Sequence, residues 1–272
     1  MATSSSKTHK ASLAPAREQF IIRPARLTDF RTLAIHNADV YRNHPVTNFL
    51  TPYANTYPED QIRSRLQGIQ QRYTRPDSIT AVACRATRPD VPIGYAQYRR
   101  VGSDGGPQAV AREKGLLMRA WLWLLSWVFW AMHAASNRLW KTRITDARNL
   151  KLFGEYIAAD QATHWSRPAW QDRWFLESVV VAEEFQGKGV GKLLLKDLIE
   201  RAERERVVIG LSSSPQGEHL YRKLGFELMG DFSTRIKGEV DLRGGIMIRY
   251  PEGWEGERHE KYIGYFDLHR SD

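Results

Sequence analysis

A chain of 272 residues that is 42% hydrophobic can bury a sizeable core, and its single cysteine, Cys84, excludes both an intramolecular disulfide and a cysteine-built zinc cluster. The net charge of +9 suits an anionic ligand. No helix-turn-helix, RNP or zinc-finger pattern accompanies that charge and the basic residues are spread along the chain, so no nucleic-acid partner is expected.

From Met1 to about Gln19 the chain is rich in Ser, Ala and Lys, and residues 1–19 are expected to be a disordered tail without a signal peptide. One thiol and no secretory signal point to a reducing, cytoplasmic setting. A mitochondrial presequence is the lesser alternative, because the basic residues of the tail all precede its first acid, Glu18. Phe20-Ile21-Ile22-Arg23 reads as a strand closed by Pro24. Thr28 or Asp29 can cap the helix that follows, with Phe30, Leu33, Ala34, Val40 and Tyr41 on its apolar face and His44-Pro45 as its stop. A second helix after Pro58 carries Ile62, Leu66, Ile69 and Tyr73 on one stripe. Ile79 to Arg85 and Ile93 to Arg100 read as a hairpin turning at Arg88-Pro89-Asp90.

Residues 102–170 read as a helical insertion. Leu116 to Ala135 is almost wholly apolar, with Trp121, Trp123, Trp127 and Trp130, and Arg138, Lys141, Arg143 and Arg148 follow it. Arg119 and His133 confine the unbroken apolar run to Ala120–Met132, too short to span a bilayer. The segment is therefore expected to roof a pocket; a dimer surface, a membrane interface and plain core packing are the alternatives. A further helical pattern covers Asp146 to Thr163.

Trp174 to Val181 is an apolar strand that runs into Glu183-Glu184-Phe185 and then Gln186-Gly187-Lys188-Gly189-Val190-Gly191. The glycines let backbone approach a ligand closely. The helix behind them, striped with Leu194, Leu195, Leu198, Ile199 and Ala202, points its unpaired first N–H groups outward. The result is an anion site suited to a pyrophosphate. The pattern is neither a dinucleotide fingerprint, since Leu194 stands where its third glycine belongs, nor a P-loop, since no Gly-Lys-Ser/Thr occurs. Val207 to Leu211 is a short strand, and Ser212-Ser213-Ser214-Pro215 starts a helix that runs through Leu224. Phe226 to Phe232 and Ile246 to Tyr250 read as the last strands, and residues 251–272 as a polar extension.

Two of these stretches carry a resemblance. Gln186, Gly189 and Gly191 are similar to the Gln/Arg-x-x-Gly-x-Gly/Ala acyl-CoA loop of the GNAT superfamily of N-acetyltransferases. Downstream, Tyr221, Gly225 and Phe226 resemble that family's Tyr-x-x-x-Gly-Phe. The resemblance implies an α/β (α+β) fold with a mixed, mostly antiparallel sheet of six to seven strands flanked by helices. It gives a GNAT domain over residues 20–250, with the insertion between its third and fourth strands.

It also implies a reaction, the transfer of an acetyl group from acetyl-CoA to an amine within a ternary complex and without a metal. Gly187, Lys188, Gly189, Val190, Gly191 and Lys192 then hold the pyrophosphate, with Gln186 opening the loop. The backbone of Val179, Val180 and Val181 pairs with the pantetheine arm and polarises the thioester carbonyl. Ser214 stands where the family often has an asparagine. Tyr221 is the candidate acid for the departing thiolate. Glu177 is the candidate base; alternation along the strand places it on one face with Val179 and Val181, among Trp174, Phe175 and Leu176. Of the histidines, only His44 is a candidate for substrate contact, and none forms a metal set. The expected acceptor is a small-molecule amine, with protein or peptide N-acetylation as the alternative enzyme. A non-catalytic acyl-CoA-binding protein that meets a partner or membrane through its aromatic insertion is the alternative of another class. A monomer or a homodimer is expected.

Overall fold

A computed structural model describes residues 18–232, 244–260 and 262. The expected disordered tail, apart from Glu18 and Gln19, and residues 263–272 of the extension lie outside the described residues.

One seven-stranded sheet runs through the molecule in the order β1-β2-β3-β4-β5-β7-β6. Its strands are β1 (Phe20–Pro24), β2 (Ser78–Arg85), β3 (Arg88–Val101), β4 (Arg173–Val181), β5 (Val208–Ser213), β6 (Glu227–Asp231) and β7 (Gly245–Arg249). Every neighbouring pair is antiparallel except β4 and β5, which run parallel. The hairpin between β2 and β3 turns at Ala86-Thr87, earlier than the sequence suggests. Pro89 and Asp90 instead open β3, beside the irregular pairing at Cys84 and Arg85, where a residue without an N–H is tolerated.

Helices cover both faces. On one, α8 (Val190–Glu205) lays Leu194, Leu195 and Leu198 against Ala83, Trp174 and Leu211. On the other, Leu33 of α1 (Phe30–Val40) and Ile69 of α3 (Pro58–Tyr73) pack with Val82, Tyr95 and Val180. The first helix ends before His44: the chain turns, and His44 caps a separate short helix, α2 (Pro45–Leu50), with Pro45 in its first turn. Asp29 does not cap α1 through its side chain; its carboxylate takes the Arg26 N–H at 2.7 Å and two hydrogen bonds from Arg23.

The insertion between β3 and β4 folds as α4 (Gly106–Glu113), α5 (Gly115–Leu139), α6 (Ala147–His164) and α7 (Pro168–Gln171). Asp146 caps α6 by accepting the N–H groups of Arg148 and Asn149 at 2.8 and 3.1 Å. The link between α5 and α6 is anchored to α3 by Arg143, whose Nε donates to Asp60 at 2.9 Å, and it buries Ile144 fully. That anchor directs the two helices to different places. The apolar α5 sets Leu122, Leu125 and Phe129 into the core beside α1 and α3. In contrast, α6 places Phe153, Ile157 and Asp160 on the wall of the candidate site. A further helix, α9 (Pro215–Lys223), stands beside α8, and a Cβ at Gly191 would approach Leu220 to 2.9 Å.

Candidate functional site

The site begins where β4 and β5 part. They pair from Arg173 and Val208 only as far as Leu176 and Leu211. Beyond that point β4 continues to Val181 bound only to β3, so the β5-facing backbone groups of Val179 and Val181 have no strand partner, and of these Val181 O accepts from Gln186 Nε2. At the same place β4 has a bulge. Ser178 faces Gln97 and Leu176 faces Tyr98, so Glu177 is the extra residue.

This bulge overturns the expected orientation of Glu177. Val179 and Val181 pack toward α8, whereas Glu177 turns to the α3 side, as do Ser178 and Val180. Nor are its surroundings apolar. Glu177 Oε1 accepts from Arg75 at 2.7 Å and lies 3.4 Å from Arg99, and Oε2 lies 3.9 Å from Arg72. Three guanidiniums hold one carboxylate, and its Oε2 is buried with no hydrogen-bond partner.

Below the bulge is a cavity of about 460 Å³. Its floor is Glu177, Ser178 and Ser212-Ser213-Ser214, its sides are α1 and α3, and Phe153, Ile157 and Asp160 of α6 cover it. The roof is therefore α6. The expectation that Leu116 to Ala135 forms the roof is corrected, because α5 packs on the outside of α3 and contributes no residue to the lining. His44 does line the cavity, as do Tyr41, Asn37, Arg65 and Arg72, which sequence reasoning missed. Arg65 and Arg72 are seven positions apart on α3, hence on one face, and that spacing was the available signal.

The polar groups on this wall are short of partners. Asn37 donates to the Tyr95 hydroxyl at 2.7 Å, and Ser178 bonds the same hydroxyl at 3.3 Å, but Asn37 Oδ1 is buried unpaired. His44 Nδ1 accepts the Val46 N–H at 3.3 Å. The hydrogen of the neutral ring therefore sits on Nε2, which is also buried unpaired. Burial, with a smaller push from Arg65, lowers the His44 pKa and keeps the ring neutral. Arg65 meets only neutral oxygens: Thr47 Oγ1 at 3.1 Å and the amide of Gln61, oriented with its oxygen toward the guanidinium. Burial lowers its pKa as well.

On the other side of the parted strands lies the glycine loop. Gly187 and Gly189 have φ of +74° and +85°, and a Cβ at either would meet nothing within 4 Å. Their requirement for glycine is thus conformational, and the space above them is open. Gln186 ties the loop to β4 through Nε2 to Val181 O at 2.9 Å, while Lys188 leans over Phe185 and toward Glu18. Val190, Gly191 and Lys192 form the first turn of α8, whose N–H groups have no partner within the helix. These residues fit a pyrophosphate: open backbone donors, a helix N-terminus and a nearby lysine. Ser214 caps α9 by accepting the Gly217 N–H at 3.2 Å, and its own hydroxyl proton donates to no described residue. Tyr221 is buried, edge-on to Phe226 at 5.6 Å. Burial, with a smaller push from Tyr41, raises its phenol pKa and so keeps the proton on the ring oxygen.

Residues 130–226, from the middle of α5 through α9, match the family model described as "Acetyltransferase (GNAT) family". Among solved structures, one titled histone acetyltransferase HPA2 and related acetyltransferase, from Corynebacterium glutamicum, superposes with a TM-score of 0.53. It shares 18% identity over 85% of this chain and 96% of its own. The PaiA N-acetyltransferase of Thermoplasma acidophilum, a structure in complex with coenzyme A, is similar over 85% of this chain and 99% of its own, at 14% identity and a TM-score of 0.42. The parted strands and the glycine loop at the start of α8 lie within the stretch that matches the family model, so residues 130–226 are similar to a GNAT-family acetyltransferase domain.

Proposed function

We propose that the protein transfers an acetyl group from acetyl-CoA to the amine of a small molecule held in the α6-covered cavity. The observation that carries this reading is the position of the cavity: Ser178 and Ser212-Ser213-Ser214 line it on one side, and the open edge of β4 reaches the same point from the other. Acceptor and thioester thus meet at the parting of the strands. The amine nitrogen attacks the thioester carbonyl, the C–N bond forms, and the C–S bond breaks. A backbone N–H of Val179–Val181 supports the developing oxyanion, an arrangement worth about 3 kcal/mol in comparable sites. Glu177 Oε2 takes the amine proton, and the Tyr221 hydroxyl gives a proton to the departing thiolate.

Phe153, Ile157 and Asp160 of α6 narrow the half-open mouth of the cavity, which favours a small acceptor over an extended peptide. Incubating the protein with acetyl-CoA and a panel of small amines, alongside lysine-bearing peptides, tests the reading by mass-detected product. Acetylated small amines at the expense of peptides are expected. Exclusive peptide acetylation overturns the acceptor class, and acetyl-CoA binding without any product overturns the enzyme reading.

A further inference from the structure

We infer that the acceptor amine also carries a carboxylate, and that Arg65 and His44 bind it. The inference rests on the cavity being the acceptor site. Its polar wall divides by chemistry. Glu177 Oε2 and Asn37 Oδ1 are unpaired acceptors, as a protonated or neutral amine requires. His44 Nε2–H is an unpaired donor, and Arg65 is a half-buried cation with only neutral hydrogen-bond partners among the described residues. A half-buried guanidinium that faces a cavity with no anion bonded to it is free to take one from a ligand, and its planar fork matches a carboxylate. Arg65 and Arg72 share the cavity wall with Glu177 and Asp160, and Glu177 is already divided among Arg72, Arg75 and Arg99. An amino acid-like acceptor satisfies both ends of the wall.

The test compares glycine, β-alanine and 4-aminobutyrate with their methyl esters and with n-alkylamines of matched length. The carboxylates are expected to have kcat/KM about thirtyfold or more above their esters, the scale set by an unmet buried polar group. Arg65→Gln should shrink that ratio about tenfold, through KM, and Arg65→Lys should restore part of it. Esters and alkylamines that match the carboxylates, or an unchanged ratio in Arg65→Gln, overturn the inference. The same compounds are also tested for thermal stabilisation of the folded wild type. If no amine is acetylated, acetyl transfer fails as a reading; carboxylate-specific stabilisation lost in Arg65→Gln then still supports the subsite, and its absence overturns it.

A separate observation carries a second proposal: the outer face of α5 docks on an anionic lipid surface. This helix spans 25 residues, and only 17% of its most apolar window is buried. Leu117, Trp123 and Trp130 are 87%, 65% and 64% exposed. Leu122, Leu125 and Phe129 are fixed in the domain core, so the helix cannot thread through a bilayer, but it can lie in the interface. No acid occurs from Lys114 to Thr145, while Arg119, Arg138 and Lys141 are exposed at its two ends. A second copy would bring these like charges together with no acid on either helix to meet them; anionic headgroups complement them. Flotation with phosphatidylcholine vesicles, with and without 30 mol% phosphatidylserine, tests the proposal. Binding about tenfold stronger to the anionic vesicles, and lost in a Trp123→Ser/Trp130→Ser variant that keeps its melting temperature, is expected. Equal binding to both vesicles, no binding, or a concentration-dependent dimer dispersed by the same substitutions overturns it.

Discussion

Replacing Gly189 by glutamate is expected to abolish acetyl-CoA binding while the protein stays folded. The wild type, given acetyl-CoA at about a hundred times its dissociation constant, gains roughly 2.7 kcal/mol and melts several degrees higher. Gly189 is the N-cap of α8 at φ +85°, so any side chain there costs about 1 kcal/mol of backbone strain. Its Cβ direction is open, with nothing within 4 Å, so a larger residue meets no clash. What glutamate adds is a carboxylate at the helix N-terminus, the place a pyrophosphate must take. The charge stabilises the helix in the absence of ligand and repels the anion. Gly189→Ala separates the two effects: it carries the strain without the charge and should retain a measurable thermal shift. A Gly189→Glu protein that still gains stability from acetyl-CoA refutes the loop assignment.

The glycine loop was legible because its geometry is local. Two residues at positive φ and the helix behind them are specified by consecutive positions, and the residue types state the requirement directly. Glu177 was legible as a residue and misread in direction. Alternation along Trp174 to Val181 assumes an unbroken ladder, and the extra residue opposite Gln97 and Tyr98 depends on β3, which is distant in sequence. The insertion shows the same limit at a larger scale. Both helices could be read from periodicity, but which one covers the cavity is decided by a tertiary anchor, Arg143 on Asp60, that no periodicity encodes. The most apolar segment is the natural choice for a roof, yet it packs into the core beside α1 and α3, and α6 lines the cavity instead. Arg65 and Arg72 were hidden by their neighbours. The stripe of Ile62, Leu66, Ile69 and Tyr73 explained α3 as a core helix, and a polar face beside such a stripe ordinarily meets water.

Tyr221→Phe is expected to lower kcat by roughly a hundredfold or more, with acetyl-CoA affinity nearly unchanged. The ring is held by packing: it lies edge-on to Phe226, within the core that joins α9 to the sheet. Phenylalanine keeps that packing and removes only the hydroxyl, which makes no hydrogen bond to a described residue. Stability should therefore hold while the proton for the departing thiolate is lost. Since burial raises the phenol pKa, the wild-type donor stays protonated across the neutral range, and its own titration should not limit the rate there. Glu177→Gln acts on the other proton. Below the amine's pKa little free amine exists, so losing the acceptor oxygen should slow the reaction most at low pH and steepen the pH–rate profile. The two variants thus make opposite demands on one experiment. Tyr221→Phe should lower the profile without changing its shape, and Glu177→Gln should change the shape. A fall in melting temperature that parallels the loss of rate in Tyr221→Phe would make the tyrosine a packing residue. An unaltered profile in Glu177→Gln would leave Glu177 to hold Arg72, Arg75 and Arg99 in place, with water taking the proton.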